Sequence, residues 1–448
     1  MAKLRIKFVC QQCGASFPKW TGKCESCGAW NSLLESAPEV EGKSVIARSQ
    51  GKKLVTEKIA NVKIDTVSDR ISSGFDDLDA VLGGGLISGG VVLLAGQPGI
   101  GKSTLLMQMA AKIADKNAVL YVSGEESASQ VKLRAERLGA KDSENLDLAS
   151  SVSADDVATT ILDGKYKLVI VDSMQTMQMA EIASAPGTVS QITNCANIII
   201  RAAKSTDTAV ILVGHVTKEG SIAGPKVLEH IVDVVLEFQG DKYGGFKLVR
   251  AQKNRYGSTT EVAIFDMKES GLELVKNPSE ALLAERRDTD GSVILATLEG
   301  NRPLLVEIQA LVNPTNFGYP NRTASGFDLN RLKLLVAVLE RRTKLKLADK
   351  DIYINVVGGL RLDDPAADLA VCMAIASATA ERKLRPGAVV FGEIGLGGEI
   401  RSARMADKRT AEAKKLGFQY AIAPKAAAKD KFVVPADDLR DALNQHLK

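Results

Sequence analysis

A chain of 448 residues, 45% hydrophobic and 25% charged, is long enough for two core-bearing domains and a smaller appendage, and its composition is that of a globular protein. Its formal net charge of +4 is too mild to mark a partner, so where the charges sit carries more than their sum. No run of about 18 apolar residues is present, which excludes the pattern of a membrane helix. The start MAKLRIKFVC lacks the apolar stretch of a secretion signal, so a cytoplasmic protein is expected.

Residues 1–34 are short, punctuated by glycine and rich in cysteine. Cys10, Cys13, Cys24 and Cys27 form C-x2-C-x10-C-x2-C, with Gly14 and Gly28 directly after the two pairs. Tetrahedral zinc wants four soft ligands, and a two-residue gap lets one tight turn present two thiolates to one ion. A segment this short cannot build a core, so Zn2+ binding, worth on the order of 10 kcal/mol, would supply its folding energy. With all four positions filled, the metal is structural rather than catalytic. Cys195 and Cys372 sit in apolar helical patterns and read as small buried hydrophobes. Residues 35–55 are polar and aperiodic, the composition of a linker.

From 56 to 275 short apolar runs alternate with helical stretches: VVLLAG, AVLYVS, LVIVDS, TAVILVGH and VDVVLEF. That alternation predicts a parallel sheet in an α/β domain. Gly96-Gln97-Pro98-Gly99-Ile100-Gly101-Lys102-Ser103 matches G-x4-G-K-[ST] between an apolar strand and a helix opening at Thr104. Glycines let backbone N–H groups turn towards phosphates, and the helix N-terminus adds the positive end of its dipole. Lys102 is expected to bridge the β- and γ-phosphates of ATP, and the Ser103 hydroxyl to bind Mg2+. The run Leu168–Val171 delivers Asp172 at a strand end, where a second Mg2+-ordering carboxylate belongs. The neighbouring run ends in Ser123-Gly124-Glu125-Glu126. One of those two carboxylates, Glu125 favoured, suits a general base for the attacking water. Ser123 and Glu126 also have the spacing of a capping box, and the two readings are compatible.

Residues 276–287 (KNPSEALLAERR) read as a connector, and from 288 to 448 a different pattern of strands and long helices follows, the latter near Asn330–Arg342 and Pro365–Glu381. Residues 328–350 carry seven basic against three acidic side chains, and 401–418 carry six against two. Both segments are thus +4, which favours a polyanion surface over a merely solvated face.

The stretch from Ser72 to Leu105, followed by LYVSGEES and LVIVDS, resembles the RecA/DnaB-type ATPase core. The four-Cys finger, the pentapeptide Lys253-Asn254-Arg255-Tyr256-Gly257 and a C-terminal part similar to the Lon protease fold narrow the resemblance to the RadA (Sms) family of bacterial DNA repair proteins. The resemblance covers nearly the whole chain. It implies an α/β fold: a RecA-like P-loop NTPase core, an α+β Lon-protease-like C-terminal domain and a small N-terminal zinc finger. In that class cationic side chains of one subunit reach the ATP of the next, and Lys253 and Arg255, at alternate positions of one strand, suit this trans role. Residues 174–191 and 215–226 match the class's DNA loops by position, with Lys218 and Lys226 as phosphate contacts and His215 as a sensor of nucleotide or DNA state. The implied activity is a DNA-dependent ATPase and helicase in a hexameric ring that binds single-stranded and branched DNA, migrates branches and cooperates with RecA recombinase.

The C-terminal part departs from Lon where that enzyme's chemistry sits. Asp363-Asp364-Pro365-Ala366-Ala367-Asp368 has alanine, Ala366, at the place of the nucleophilic serine. Asp407 stands at the place of the lysine, with Lys408 one residue off register. A serine–lysine dyad needs both groups, so this domain is expected to be proteolytically inactive. An ATP-dependent protease is the first alternative and a nucleotide-gated signalling ATPase similar to KaiC the second. A protease assay separates the first from the leading reading, and DNA-stimulated turnover separates the second.

Overall fold

A computed structural model describes residues 7–10, 15–30, 32–36, 56, 58–61, 70–140, 143–216, 222–223, 227–240, 245–315, 318–427 and 429–447. The chain divides into two compact units, residues 1–64 and 65–448. In the first, strands β1 (Lys7–Cys10), β2 (Ser16–Phe17) and β3 (Leu33–Ser36) form a small antiparallel sheet with β1 in the middle. Among the described residues its interior is Cys10, Cys24 and Leu33 with Phe8 and Phe17 packed against them, too small to hold a fold without a further staple.

The second unit opens with α1 (Asp76–Leu82) and β4 (Val91–Gly96). There follow α2 (Lys102–Ala114), β5 (Val119–Ser123), α3 (Ala128–Arg137), β6 (Leu146–Ser150), α4 (Ala154–Leu162) and β7 (Leu168–Asp172). Next come α5 (Val189–Thr206), β8 (Ala209–Val216), the short β9 (Ile222–Ala223), α6 (Val227–Ile231) and β10 (Val234–Gly240). Three antiparallel strands, β11 (Lys247–Asn254), β12 (Val262–Lys268) and β13 (Gly271–Leu274), complete the sheet in the order β13-β12-β11-β10-β4-β8-β7-β5-β6. Strand β4 is buried along its whole length, because helices cover both faces of a parallel sheet. Its side chains alternate: Val92 and Leu94 join the core under α1 and α2, Val91 and Leu93 the core under α4 and α5. Period two thus splits one apolar run between two cores.

The stretch expected as a connector contains a helix, α7 (Pro278–Leu283), with proline in its first turn. Leu282 is buried, and the Ser279 hydroxyl donates to Glu412 (2.7 Å) while accepting from the Leu305 N–H (3.1 Å). The segment is therefore packed structure: Pro278 pre-sets the helical φ angle, and Pro278, Ser279 and Leu282 are its buried residues. Beyond it a seven-stranded sheet takes the order β16-β17-β15-β14-β18-β21-β22. Its strands are β14 (Ser292–Glu299), β15 (Arg302–Pro314), β16 (Arg322–Ser325), β17 (Lys350–Val356), β18 (Ala388–Val390), β21 (Tyr420–Pro424) and β22 (Val433–Ala436), with β19 (Glu393–Ile394) and β20 (Ile400–Arg401) pairing separately. Helices α8 (Leu329–Thr343), α9 (Ala367–Ala380), α10 (Ala406–Lys415) and α11 (Leu439–His446) pack on it. Helix α9 is apolar on all sides and buried almost throughout, as the central helix of an α+β domain must be. Leu248 of β11 and Val262 and Ile264 of β12 also join the core of this seven-stranded sheet. No helix of the described residues is long and apolar enough to cross a membrane.

Candidate functional site

Four parallel strands, β4, β8, β7 and β5, end side by side at one edge of the large sheet that runs from β13 to β6. The registers Gly96↔His215 and Ser123↔Asp172 line up the P-loop, His215, Asp172 and the residues after Ser123. Ligands bind outside this carboxyl edge in α/β sheets. Between β4 and α2 the backbone turns through Gly99 (φ 77°) and Gly101 (φ 117°), conformations that exclude most L-residues. At Gly101 a Cβ would also stand 2.6 Å from the Met267 Cε. Lys102 opens α2 and is buried, its ammonium donating to the carbonyls of Gly96 (2.8 Å) and Gln97 (3.0 Å). It also lies 3.2 Å from His215 Nδ1. Burial pulls its pKa down to about 8, against the pull of Asp172 and Glu125. A cation that costly to keep dehydrated is poised for anionic charge.

Asp172 accepts a hydrogen bond from the Tyr121 hydroxyl (2.6 Å). Tyr121 is buried in β5. Burial first, then Asp172, pushes the Tyr121 pKa well up, so it is a firm donor. This phenol thus holds one of the two side chains expected around Mg2+. The sequence reading missed it, although a tyrosine in an otherwise apolar strand needs a partner for its hydroxyl.

Glu125 accepts from the Ser173 hydroxyl (2.5 Å) and lies 3.4 Å from His215 Nε2. Burial raises its pKa, but hydrogen bonds from Ser173 and His215 with nearby positive charge outweigh it, leaving the group below its ordinary value. Glu126 turns away and pairs with Arg134. Its N–H does donate to Ser123 Oγ (3.0 Å), yet the reciprocal capping box forms one step later, between Ser127 and Gln130 at the head of α3. His215 thus bridges Lys102 and Glu125, closing a contiguous polar chain from Ser173 to the P-loop.

Lys253 and Arg255 are not part of this cluster. The registers Val234↔Asn254 and Val234↔Val92 put the pentapeptide at the amino edge of the sheet, a strand length of roughly 20 Å from the P-loop of the same chain. Lys253 donates to the carbonyls of Glu229 (2.7 Å) and Val232 (2.8 Å), and Arg255 pairs with buried Asp233 (3.1 Å). Asn254 donates to the Val81 carbonyl (3.1 Å) and accepts from the Tyr256 N–H (2.8 Å). At Gly257 a Cβ would stand 2.7 Å from the Gly83 Cα, so Asn254 and Gly257 fasten the motif to the end of α1. Of the two segments matched to DNA loops, the first is anchored: Met174 and Met177 are buried, and Gln191 bonds the backbone of Met179, Ile182 and Ser184. In the second, Lys218 and Lys226 lie outside the described residues.

In the finger, the sulfurs of Cys10, Cys24 and Cys27 lie within 4.8 Å of one another, with Cys10 and Cys27 3.7 Å apart. Tetrahedral zinc with Zn–S near 2.3 Å sets sulfurs about 3.8 Å apart, so the donors fit the ion. Cys13 lies outside the described residues. The turns match: Cys10 N–H donates to the Ala15 carbonyl (2.9 Å) and Cys24 N–H to that of Ala29 (2.8 Å).

In the C-terminal domain Ala366 is buried at the head of α9. Asp364 beside it pairs with Arg409 (2.7 Å), which is wholly buried and also donates to the Ala296 carbonyl (2.6 Å). Asp407 lies in the first turn of α10, and Lys408 reaches the Asn301 carbonyl (3.4 Å). The charge count overstated the basic surface. Arg409 is withdrawn into that ion pair, Arg331 into one with buried Asp368, and Lys414 into one with Asp430 (2.7 Å). Their carboxylate partners lie outside the segments counted, which is why a local sum missed them.

The chain is 48% identical over 427 residues to the DNA repair protein RadA of Halalkalibacterium halodurans, covering 95% of this chain and 93% of that protein. The chain belongs to the RadA family of DNA repair proteins. RadA of Bacillus subtilis is 46% identical over 95% of this chain and 94% of its own length, and RadA of Aquifex aeolicus 45% identical over 95% of each. Family models described as an AAA domain, a rubredoxin metal binding domain and subunit ChlI of Mg-chelatase match residues 57–221, 8–35 and 330–427. Among solved structures, a DnaB-like replicative helicase is 16% identical over 45% of this chain and 61% of its own, with TM-score 0.41. The RadB recombinase is 20% identical over 46% of this chain and all of its own, with TM-score 0.37.

As a RadA-family protein the chain has a RecA-like ATPase core that binds ATP with Mg2+ and a finger that holds Zn2+. Replacing Cys24 and Cys27 by Ala removes two thiolates, and zinc falls from stoichiometric to background in elemental analysis. The second unit has its own cores and keeps its nucleotide affinity. Tyr121→Phe deletes only the hydroxyl on Asp172. The Mg2+ concentration giving half-maximal turnover rises about ten- to a hundredfold, the worth of one hydrogen bond to a charged group, while the rate at saturating Mg2+ stays near wild type. Magnesium titrations of both proteins check this.

Proposed function

We propose that the chain is an ATP-driven motor that binds single-stranded DNA, forms a hexameric ring and moves branch points in recombination intermediates together with RecA recombinase. Lys102 holds the β- and γ-phosphates, Ser103 and Asp172 hold Mg2+, and bound Mg2+ neutralises charge on the phosphate oxygens. Glu125 takes a proton from the attacking water: it is ionised, held in place by Ser173 and His215, and free of the ion pair that engages Glu126. The observation that carries the ring is the placement of Lys253 and Arg255 at the amino edge of the sheet. They are remote from their own P-loop, so a role in hydrolysis is a role at a neighbour's site. Lys218 and Lys226 contact phosphates in the ring's channel, and His215 relays between DNA and nucleotide.

In this reading residues 1–34 are the finger, 35–55 a linker, 56–275 the ATPase and 288–448 a Lon-like platform without proteolysis. Ala366 offers no nucleophile, and Asp364 beside it is engaged by Arg409. The test is strand displacement on a forked duplex. ATP with Mg2+ supports displacement of one arm and the Lys102→Ala protein does not. Displacement that is equal without nucleotide would show passive binding and refute the motor.

A further inference from the structure

The chain contains two tryptophans, and both, Trp20 and Trp30, stand on the finger with more than half of their surface exposed, 55% and 73%. Rings of this size rarely face water without a use. Neither is loose. The Trp20 indole N–H donates to the Leu33 carbonyl (3.2 Å), and the Lys23 ammonium lies 5.6 Å from the centre of the Trp30 ring. Lys23 and Trp30 also form a β-bridge. Between the rings lies Gly22, and each ring comes within 3.9 Å of the point where a side chain there would begin. Gly22 is not among the positive-φ glycines, so its backbone does not require glycine; what the missing side chain leaves is open space between two indoles. Around it Lys19 and Lys23 are exposed, with Glu25 the one acidic residue between 15 and 30.

We infer that this face of the finger binds single-stranded nucleic acid, with unpaired bases stacking on Trp20 and Trp30 and the adjoining phosphates meeting Lys19 and Lys23. Pre-oriented indoles flanked by cations suit a base and its backbone, since every base has a flat π-face and each nucleotide carries one negative charge. Paired bases hide those faces, so duplex DNA is excluded from the site. The site uses no residue of the ATPase machinery, although it shares with the proposed function the premise that the protein handles single strands.

Because both tryptophans lie here, the intact zinc-loaded protein reports on the site by itself. Tryptophan emission is followed without nucleotide during titration with an oligo-dT strand, with a duplex of equal length, and with a RecA-type recombinase. Emission lost to oligo-dT but kept with duplex is the expected result. In the Trp20→Ala/Trp30→Ala protein, with zinc retained, affinity for the strand measured through a dye on the DNA falls roughly five- to a hundredfold. Should that variant lose zinc, the titration of the native protein decides alone. Equal quenching by duplex, or a response to the recombinase only, overturns the assignment, the latter making this a protein-docking face. Unchanged emission while DNA still stimulates ATP turnover sinks the finger proposal and leaves the motor standing.

Discussion

Lys102→Ala lowers ATP turnover by at least about a hundred- to a thousandfold, the scale on which loss of one preorganised group at a developing charge is felt. Its ammonium stands at the mouth of the glycine turn, and no other lysine or arginine comes within the P-loop segment 96–103. The fold does not suffer. Burial already pulls the Lys102 pKa down to about 8, so the folded protein bears a cost for the charged form that alanine removes. Sign and window follow from that shift: the cost is fully present at neutral pH, where the ammonium is charged, and fades as pH rises through the depressed pKa towards the ordinary lysine value. At pH 7 the variant's thermal midpoint is therefore equal to or above wild type. Wild-type turnover in a purified, folded Lys102→Ala protein would remove the phosphate site from this P-loop.

Arg255→Ala has the second large effect, and it separates two readings of one side chain. Arg255 is half exposed while its partner Asp233 is buried. Asp233 keeps the Val91 N–H (3.1 Å) and the Lys204 ammonium (3.5 Å) when the guanidinium goes. The loss of stability is then modest, about 1–3 kcal/mol. Turnover falls about a thousandfold if the exposed guanidinium also serves the nucleotide of a neighbouring subunit, while ATP affinity holds, because a trans cation acts on charge that develops in the transition state. Mixing decides between them. Arg255→Ala subunits combined with Lys102→Ala subunits regain activity, since some interfaces pair an intact P-loop with an intact Arg255. Mixed rings with no activity at any ratio would leave Arg255 a purely local role as the partner of Asp233.

What could be read in the sequence follows from how local each signal is. The P-loop, the Asp172 strand and the paired cysteines are short motifs whose chemistry fixes their spacing, and all were legible. Continuous apolar runs such as Val91–Ala95 announced buried parallel strands for the same reason. Tyr121 was not found, because its partner Asp172 comes from another strand brought beside it only by sheet order. That Glu126 pairs with Arg134, two turns into α3, while Glu125 takes a hydrogen bond from Ser173 could not be read from the run Ser123–Glu126 itself. Arg331 and Arg409 looked like surface charge because nothing in their own segments shows Asp368 and Asp364 closing on them. The helix inside residues 276–287 was not read from Lys276, Asn277, Pro278 and the charged tail; the burial of Leu282 becomes visible only once the C-terminal core is assembled around it.

The central claim is that ATP hydrolysis at Lys102, Glu125 and Asp172 is coupled to DNA. Steady-state ATP turnover, measured with the intact protein across a titration of single-stranded DNA, tests it most directly. The predicted result is a rate that climbs severalfold to a plateau as the strand saturates the protein, with the Lys102→Ala protein flat at background throughout. A wild-type rate that is the same with and without DNA, at strand concentrations shown by a binding assay to be saturating, would contradict it.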